Sequence, residues 1–247
     1  MANLGAIVGP SGSGKSTSLG KNEKIKIKGL NPKETFIINL VGKPLPILGY
    51  RKHYTKFTNP KDSPEGNLYV PSKGGSKTLA EKAAQIIQYV NDSRPEIKHI
   101  ILEDYQYYMG FEVMKTMKEK GFDKFLKIAA EGFIPVETAQ NCDRDDLNIF
   151  FLTHDEDTGE EGAKTRKLKT AGKLVDNAIT LEGLFTMILY TQISTSTDEA
   201  GKKIISYNFV TQNDGTTTAK SPIGMFDDLL IPNDLGYVVD KMNEYYN

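Results

Sequence analysis

Cysteine, arginine and long apolar runs are scarce in this sequence of 247 residues. Cys142 is the single cysteine, so no disulfide can form within the chain, and one free thiol is typical of a reducing compartment. The opening MANLGAIVG lacks the basic segment and apolar stretch of a signal peptide, and we expect a cytoplasmic location. With 38% hydrophobic residues, 26% charged residues and a net charge of -1, the chain is expected to be globular, and neither basic throughout nor embedded in a membrane.

Hydrophobic patterning predicts an α/β fold. Apolar and β-branched runs predict six strands, at 4–8, 35–41, 100–102, 148–153, 184–193 and 204–211. Helical spacing predicts helices at 76–91 and 235–246, and a helical region over 111–138 that Gly121 and Pro135 interrupt. Strands alternate with helices early and follow one another late, which favours a mostly parallel sheet extended by an antiparallel C-terminal hairpin. We expect a single domain over 1–247, with an irregular excursion at 44–77 and a charged, mobile loop at 154–177.

The strongest motif is G-x-x-x-x-G-K-[ST], which lies between a predicted strand and a predicted helix, as this phosphate-binding loop requires. Backbone N–H groups of such a loop turn towards phosphates, and a helix N-terminus adds its dipole. We expect Lys15 to contact the β- and γ-phosphates and Ser16 to bind Mg²⁺. The predicted nucleotide-binding residues are Gly9, Pro10, Ser11, Gly12, Ser13, Gly14, Lys15, Ser16 and Thr17.

Two consecutive acids, Glu103 and Asp104, close the predicted strand Ile100-Ile101-Leu102. A phosphate-binding loop needs an acidic residue at the end of a neighbouring strand to hold the magnesium shell. Adjacent strand residues point to opposite faces, so we assign Glu103 to the metal and Asp104 to the attacking water. The alternative is a pair of solvated acids at a strand end.

Further polar and basic residues have weaker assignments. His154 follows the predicted strand at 148–153, where a side chain can respond to the γ-phosphate, although histidines at strand ends are also commonly structural. Arg166 and Lys220 are candidates for reaching the γ-phosphate of a neighbouring subunit. Each of these three assignments concerns catalysis at a nucleotide site.

Two basic segments are candidates for contacting nucleic acid. Lys164, Lys167 and Lys169 belong to a basic run, although the nearby acids, Glu160 and Glu161 among them, oppose its field. Arg51 and Lys52 lie among aromatic residues, a mixture that can hold phosphates and stack unpaired bases. The alternatives are a solvated charged face for the first segment and a loop packed on the domain for the second.

Four segments together resemble the phage-encoded RecA-like and AAA-type P-loop ATPases, including the ATPase branch of the Sak single-strand annealing proteins: GPSGSGKST, IILEDYQYYM, NIFFLTHDED and FVTQNDGTTTAKSPIGMF. The resemblance implies a RecA-like core, ATP and Mg²⁺ as cofactors, assembly into a filament or ring, single-stranded DNA as partner, and a phage protein acting in a bacterial host. RecA-type enzymes carry a glutamate after the second strand, and residues 39–43 offer none, which predicts slow hydrolysis. The order Glu-Asp-Tyr-Gln also resembles DnaA-like initiators and helicase loaders, which would place the hydrolytic acid at Asp104.

Three functions follow from these features. The first is an ATPase that binds single-stranded DNA and promotes annealing or strand exchange in phage recombination. The second is a helicase loader or other assembly ATPase, whose partner is a protein such as a single-strand binding protein or a replication factor. The third is a nucleotide kinase, which commonly needs an arginine-bearing lid and is disfavoured because the chain has only four arginines.

Overall fold

The computed structural model describes residues 1–159 and 164–247, apart from the side chains of residues 173, 174 and 178. The strands are β1 (Asn3–Val8), β2 (Thr35–Asn39), β3 (Lys56–Phe57), β4 (Leu68–Tyr69), β5 (His99–Glu103), β6 (Asn148–Thr153), β7 (Asp155–Thr158), β8 (Thr165–Leu168), β9 (Met187–Thr197), β10 (Lys203–Val210) and β11 (Leu230–Pro232). The α-helices are α1 (Leu79–Ser93), α2 (Tyr107–Thr116), α3 (Asp123–Gln140), α4 (Lys173–Ala178) and α5 (Leu235–Tyr246). Short 3₁₀ helices cover Ser16–Leu19, Glu23–Ile25, Pro32–Glu34, Tyr50–Lys52 and Leu181–Leu184.

The main sheet has the order β11-β10-β9-β1-β6-β5-β2-β4-β3. All pairs from β9 across to β3 are parallel, whereas β10 adds antiparallel to β9 and β11 adds antiparallel to β10. The predicted fold class, a mostly parallel sheet with an antiparallel C-terminal extension, is confirmed. The carboxyl ends of β1, β5 and β6 therefore meet at one edge of the sheet, where ligands of parallel α/β sheets bind.

Apolar side chains cover both faces of this sheet. Alternate residues of each central strand pack against α1 to α4 on one face and against α5 and the Ser16–Leu19 turn on the other. In β1, for example, Ala6 and Val8 belong to the first layer and Ile7 to the second. Two-sided burial explains why the central strands are continuous apolar runs rather than alternating ones.

Three segments differ from the sequence predictions. The excursion at 44–77 contains β3 and β4, which extend the sheet edge beside β2. Pro135 does not end a helix, since α3 continues through it to Gln140. The charged segment at 154–177 forms an antiparallel hairpin, β7 with β8, followed by α4. Residues 160–163 of that segment, with Glu160 and Glu161, lie outside the described residues.

The helix after the phosphate-binding loop is one turn long. Ser16–Leu19 is a 3₁₀ turn that ends before Gly20, where a side chain would overlap Ile47. The expected contribution of a helix dipole at this loop is therefore small, because the macrodipole needs aligned peptides over several turns.

None of the helices in the described ranges is long and apolar enough to cross a membrane.

Candidate functional site

The phosphate-binding loop leaves the carboxyl end of β1 and curves back into the 3₁₀ turn. Gly12 and Gly14 adopt φ angles of 78° and 93°, which glycine tolerates best. A side chain on Gly9 would overlap Thr191 of β9, because its Cβ would lie 1.7 Å from the Thr191 hydroxyl oxygen. Within the described chain, the N–H groups of Gly12, Gly14 and Lys15 donate no hydrogen bond to backbone. The loop thus presents free donors in the arrangement that binds phosphate.

Lys15 is buried against its own loop. Its Nζ donates to the carbonyl oxygens of Gly9 at 2.7 Å and Pro10 at 2.9 Å. Burial lowers the pKa of Lys15 to about 8, although Glu103 and Asp104 nearby oppose the shift. The ammonium is therefore held by two neutral carbonyl groups and lies close to the acids at the end of β5.

Glu103 and Ser16 meet across the carboxyl edge of the sheet. The Ser16 hydroxyl donates to Glu103 Oε2 at 3.0 Å. Glu103 is buried, its Oε1 has no hydrogen-bond partner among the described residues, and burial raises its pKa to about 7. Mg²⁺ prefers oxygen ligands, and a carboxylate with one unpaired oxygen beside a hydroxyl fits that preference. The residues assigned to the metal from the sequence lie together.

Asp104 has a strained backbone and an ion pair that the sequence analysis did not predict. Its φ of 60° is uncommon for a residue other than glycine. Lys43 Nζ lies 2.8 Å from Asp104 Oδ2 and 3.1 Å from Oδ1. Strain at a buried acid next to a phosphate-binding loop is typical of functional sites.

Asn39 shapes the loop that carries Lys43. Its side chain accepts from the Gly42 N–H at 2.9 Å and donates to the Lys43 carbonyl at 2.8 Å. The loop after β2 therefore brings a cation, rather than the glutamate of RecA-type enzymes, to the acid at the end of β5. The sequence carried no local signal for this pairing, because the two residues are 61 positions apart.

His154 lies at the same edge, just beyond β6. Gln106 Oε1 accepts from the His154 N–H and from the Thr153 hydroxyl, each at 3.2 Å. The imidazole is half-buried and meets the Tyr107 ring edge to face. Burial, assisted by the charge of Lys15, lowers the pKa of His154, which favours the neutral ring. Its assignment as a γ-phosphate sensor stays a prediction.

Arg166 is tied within its own chain beside the loop. Its Nε lies 2.5 Å from Asp155 Oδ2, and both terminal nitrogens donate to the Thr191 carbonyl at 3.3 Å. The guanidinium also lies 5.5 Å from the centre of the Tyr190 ring. These contacts hold the guanidinium within its own chain, and its action on a neighbouring subunit's phosphate stays a prediction.

Lys220 lies farther from the loop. Its backbone pairs in both directions with Ile188, which is level with Ala6 in the middle of β1. Partial burial lowers the pKa of Lys220, and Glu182 opposes the shift. Its action on a neighbouring subunit stays a prediction, and nothing in its backbone position favours it.

Acids in β7 and α4 oppose most of the positive charge of β8. Lys167 pairs with Glu156 at 3.3 Å and Asp176 at 2.5 Å. Lys164 is exposed and lies 3.9 Å from Asp157, while Lys169 is also exposed. The strand therefore offers phosphates little net charge, as a solvated charged face would.

The second basic segment is only partly available for stacking. Tyr54 and Phe57 are buried in the domain, on opposite faces of the sheet. Arg51 and Lys52 are exposed on their 3₁₀ turn, and the Arg51 side chain lies against Tyr50. Tyr54 and Phe57 therefore pack on the domain, as the alternative interpretation of this segment expects. Arg51 and Lys52 are accessible to solvent.

Comparison with known proteins identifies no family. No protein-family model matches the chain, and no curated protein matches it. Among solved structures, it is similar to the ATPase DotB of Legionella pneumophila, with 8% identity and a TM-score of 0.34 over 87% of this chain and 47% of that one. It is also similar to the pilus retraction motor PilT with bound ADP, with 12% identity and a TM-score of 0.33 over 86% of this chain and 48% of that one. The chain spans about half the length of both proteins.

Proposed function

We propose that this chain binds ATP with Mg²⁺ and transfers the γ-phosphoryl group to water. The observation that carries the proposal is the contact of Ser16 with Glu103, next to the glycine-rich loop. The second oxygen of Glu103 is buried and has no partner among the residues that the structure describes. Free loop N–H groups and the Lys15 ammonium would hold the phosphates, and Ser16 and Glu103 would hold the metal. When bound, Mg²⁺ supplies neutralisation of charge on the phosphate oxygens.

The remaining residues have distinct tasks in this proposal. Lys15 exchanges its two carbonyl partners for phosphate oxygens, which suits a cation whose burial already disfavours its charge. Asp104 accepts a hydrogen bond from the attacking water through a carboxylate lone pair that Lys43 does not occupy. His154, as a neutral imidazole, can donate one hydrogen bond and accept another near the γ-phosphate. The ion pair with Lys43 reduces the negative charge that Asp104 offers to the water, which predicts slow basal hydrolysis.

The test is to follow the fate of the γ-phosphoryl group. We expect release of inorganic phosphate from ATP that requires Mg²⁺ and is unaffected by adding nucleosides or nucleoside monophosphates. Ser16→Ala is expected to weaken the dependence on Mg²⁺, whereas Ser63→Ala, a serine remote from the loop in sequence, serves as the matched control. Transfer of phosphate to a nucleoside acceptor would instead identify a kinase.

As to the process that ATP hydrolysis drives, the side-chain contacts favour assembly with a protein partner over binding of single-stranded DNA. This candidate is supported by the ion pairs that neutralise β8, because they remove a main source of affinity for nucleic acid. Single-stranded DNA annealing in phage recombination is the second candidate, and the exposed cations Arg51, Lys52 and Lys169 are what favours it.

Binding of labelled single-stranded DNA with ATP, with ADP and without nucleotide separates the two candidates. Particle mass is recorded in each state. Tight binding that requires ATP and weakens in Arg51→Ala with Lys52→Ala would support the DNA candidate. No affinity in any nucleotide state would leave a protein partner as the proposed target.

A further inference from the structure

The junction of α2 and α3 carries an exposed apolar surface. Met114, Met117, Phe122 and Leu126 have 64 to 78% of their surface exposed. Four large apolar side chains so exposed, clustered over thirteen positions of sequence, are unusual for a surface that contacts only water. We call the tip surface these four residues together with the lysines that lie between them in the sequence, which are Lys115, Lys118, Lys120 and Lys124.

The tip surface is positively charged. Lys118 and Lys120 are exposed, and neither forms an ion pair in the part of the chain that the structure describes. Of the nearby acids, Glu112 and Glu119 are paired with Lys115 and Lys127 respectively, and Asp123 is exposed. Over residues 114–126 four lysines face two acids, so the segment keeps a net positive charge. The tip surface therefore fits a partner that is both apolar and acidic.

The segment before β11 has the opposite character. Ile223 is 94% exposed, and Leu229 and Leu230 are 46% and 44% exposed. Asp227 and Asp228 lie between them, and the nearest cation to Asp227, Lys241, is 3.9 Å away. We call these five residues the loop surface. It combines apolar side chains with two acids that have little local neutralisation.

We propose that the tip surface of one copy of this chain binds the loop surface of a second copy. The two surfaces are complementary, because each is apolar and the two carry charge of opposite sign. A second copy of this chain is therefore the partner that fits the tip surface. The tip surface follows β5 by way of α2 and the loop surface adjoins β11, and β5 and β11 are five positions apart in the sheet order. In a pair of copies joined in this way, one loop surface and one tip surface remain free, and such head-to-tail contacts build rings or filaments.

Both surfaces are connected to the nucleotide site by short stretches of chain. The helix α2 begins three residues after Asp104, and the Tyr107 N–H donates to the Asp104 carbonyl at 3.0 Å. On the other side, β11 leads directly to Asn233, whose side-chain amide donates to the Ser13 carbonyl at 3.3 Å. Assembly through these surfaces therefore places neighbouring copies against the segments that flank the site, whatever nucleotide chemistry it performs.

Charge exchange between the two surfaces tests the proposal. The tip variant carries Lys118→Glu with Lys120→Glu, and the loop variant carries Asp227→Lys with Asp228→Lys. Each is expected to weaken self-association of the full chain by on the order of tenfold or more, measured by sedimentation velocity with and without Mg²⁺ and ATP. The variant with all four changes is expected to recover it, because the charges are again opposite. Lys33→Glu with Lys61→Glu, at exposed lysines elsewhere, is the control.

Circular dichroism verifies the fold of each variant, and Phe122→Ser tests the apolar part of the contact without changing charge. The wild-type chain is expected to self-associate in at least one nucleotide state. A chain that is monomeric in both states at high micromolar concentration would overturn the proposal. So would association that survives both charge variants, or a fourfold variant that stays monomeric.

Discussion

The polar side chains at the two ends of the parallel sheet differ in how far their hydrogen bonds are satisfied. At the amino end, Asn3 donates to Asn148 at 3.1 Å, and the Asn148 amide lies 3.3 Å from His99 Nδ1, so these side chains satisfy one another. At the carboxyl end, one oxygen of Glu103 has no partner in the described structure, and Asp104 has a φ of 60°. His99 and Asn148 are buried as Glu103 and Asp104 are, so burial alone does not explain the difference.

This difference is what a binding site requires. Polar groups that satisfy one another stabilise the fold, whereas groups held unpaired lower its stability and are ready for a ligand. The residues at the amino end are therefore expected to stabilise the fold and to contribute little to activity. The residues at the carboxyl end are expected to contribute to activity and to lower the stability of the fold. Substitutions at the two ends can separate these contributions.

The largest expected effect is that of Lys15→Ala. It should reduce ATP hydrolysis by on the order of 10³-fold, because the main cation for the β- and γ-phosphates is removed. The free energy of unfolding should change little, because this lysine binds only carbonyl groups of its own loop. Phosphate release and ATP titration calorimetry check the first point and denaturant unfolding the second, with Lys33→Ala as control. Unchanged ATP affinity would contradict the assignment of the loop.

Asp104→Asn should have the next largest effect. If Asp104 orients water, hydrolysis falls by on the order of 10²-fold while ATP affinity stays nearly constant. Asparagine also tolerates a positive φ, so the backbone is retained. Single-turnover phosphate release compares this variant with Glu103→Gln, which should instead weaken the dependence on Mg²⁺. The opposite pair of phenotypes would exchange the roles of the two acids.

Much of the carboxyl end could be predicted from sequence because its signals are local. The loop motif, the apolar run before Glu103 and the strand before His154 each lie within about ten residues, and the apolar period predicts the sheet that unites them. The contacts of Lys43, Asp155 and Thr191 could not be predicted in this way. They depend on how segments far apart in the sequence meet at the edge of the sheet, and no short residue spacing indicates such contacts.

The amino end was missed for a related reason. Asn3, His99 and Asn148 begin three different strands and become neighbours only through the parallel register, in which Asn3 is opposite Asn148 and Asn148 opposite His99. The sequence analysis predicted the strands but not their order across the sheet. Without that order, three isolated polar residues carry no signal of a network.

Glu103→Gln should also raise stability at neutral and higher pH. The pKa of Glu103 is raised from 4.5 to about 7 by burial, so the folded state binds the proton more tightly than the unfolded state. The stability that the protonated Glu103 carboxyl group contributes is therefore lost as pH rises from 4.5 through 7. The variant should gain on the order of 3 kcal/mol over wild type at pH 8 and little at pH 4, by denaturant unfolding. An equal gain at both pH values would contradict this account.

His99→Gln should show the opposite dependence on pH at the other end of the sheet. Because the Asn148 amide is a donor, Nδ1 of His99 accepts and the ring is neutral, and burial lowers its pKa from 6.5 to about 4. The stability that depends on this neutral ring is present above pH 6.5 and is lost as pH falls through 4. Between pH 7 and pH 5 the wild type should lose about 2 kcal/mol more than the variant. Denaturant unfolding at both pH values measures the difference, and ATP hydrolysis at pH 7 should be unchanged. A loss of hydrolysis in His99→Gln would show that the two ends of the sheet are coupled.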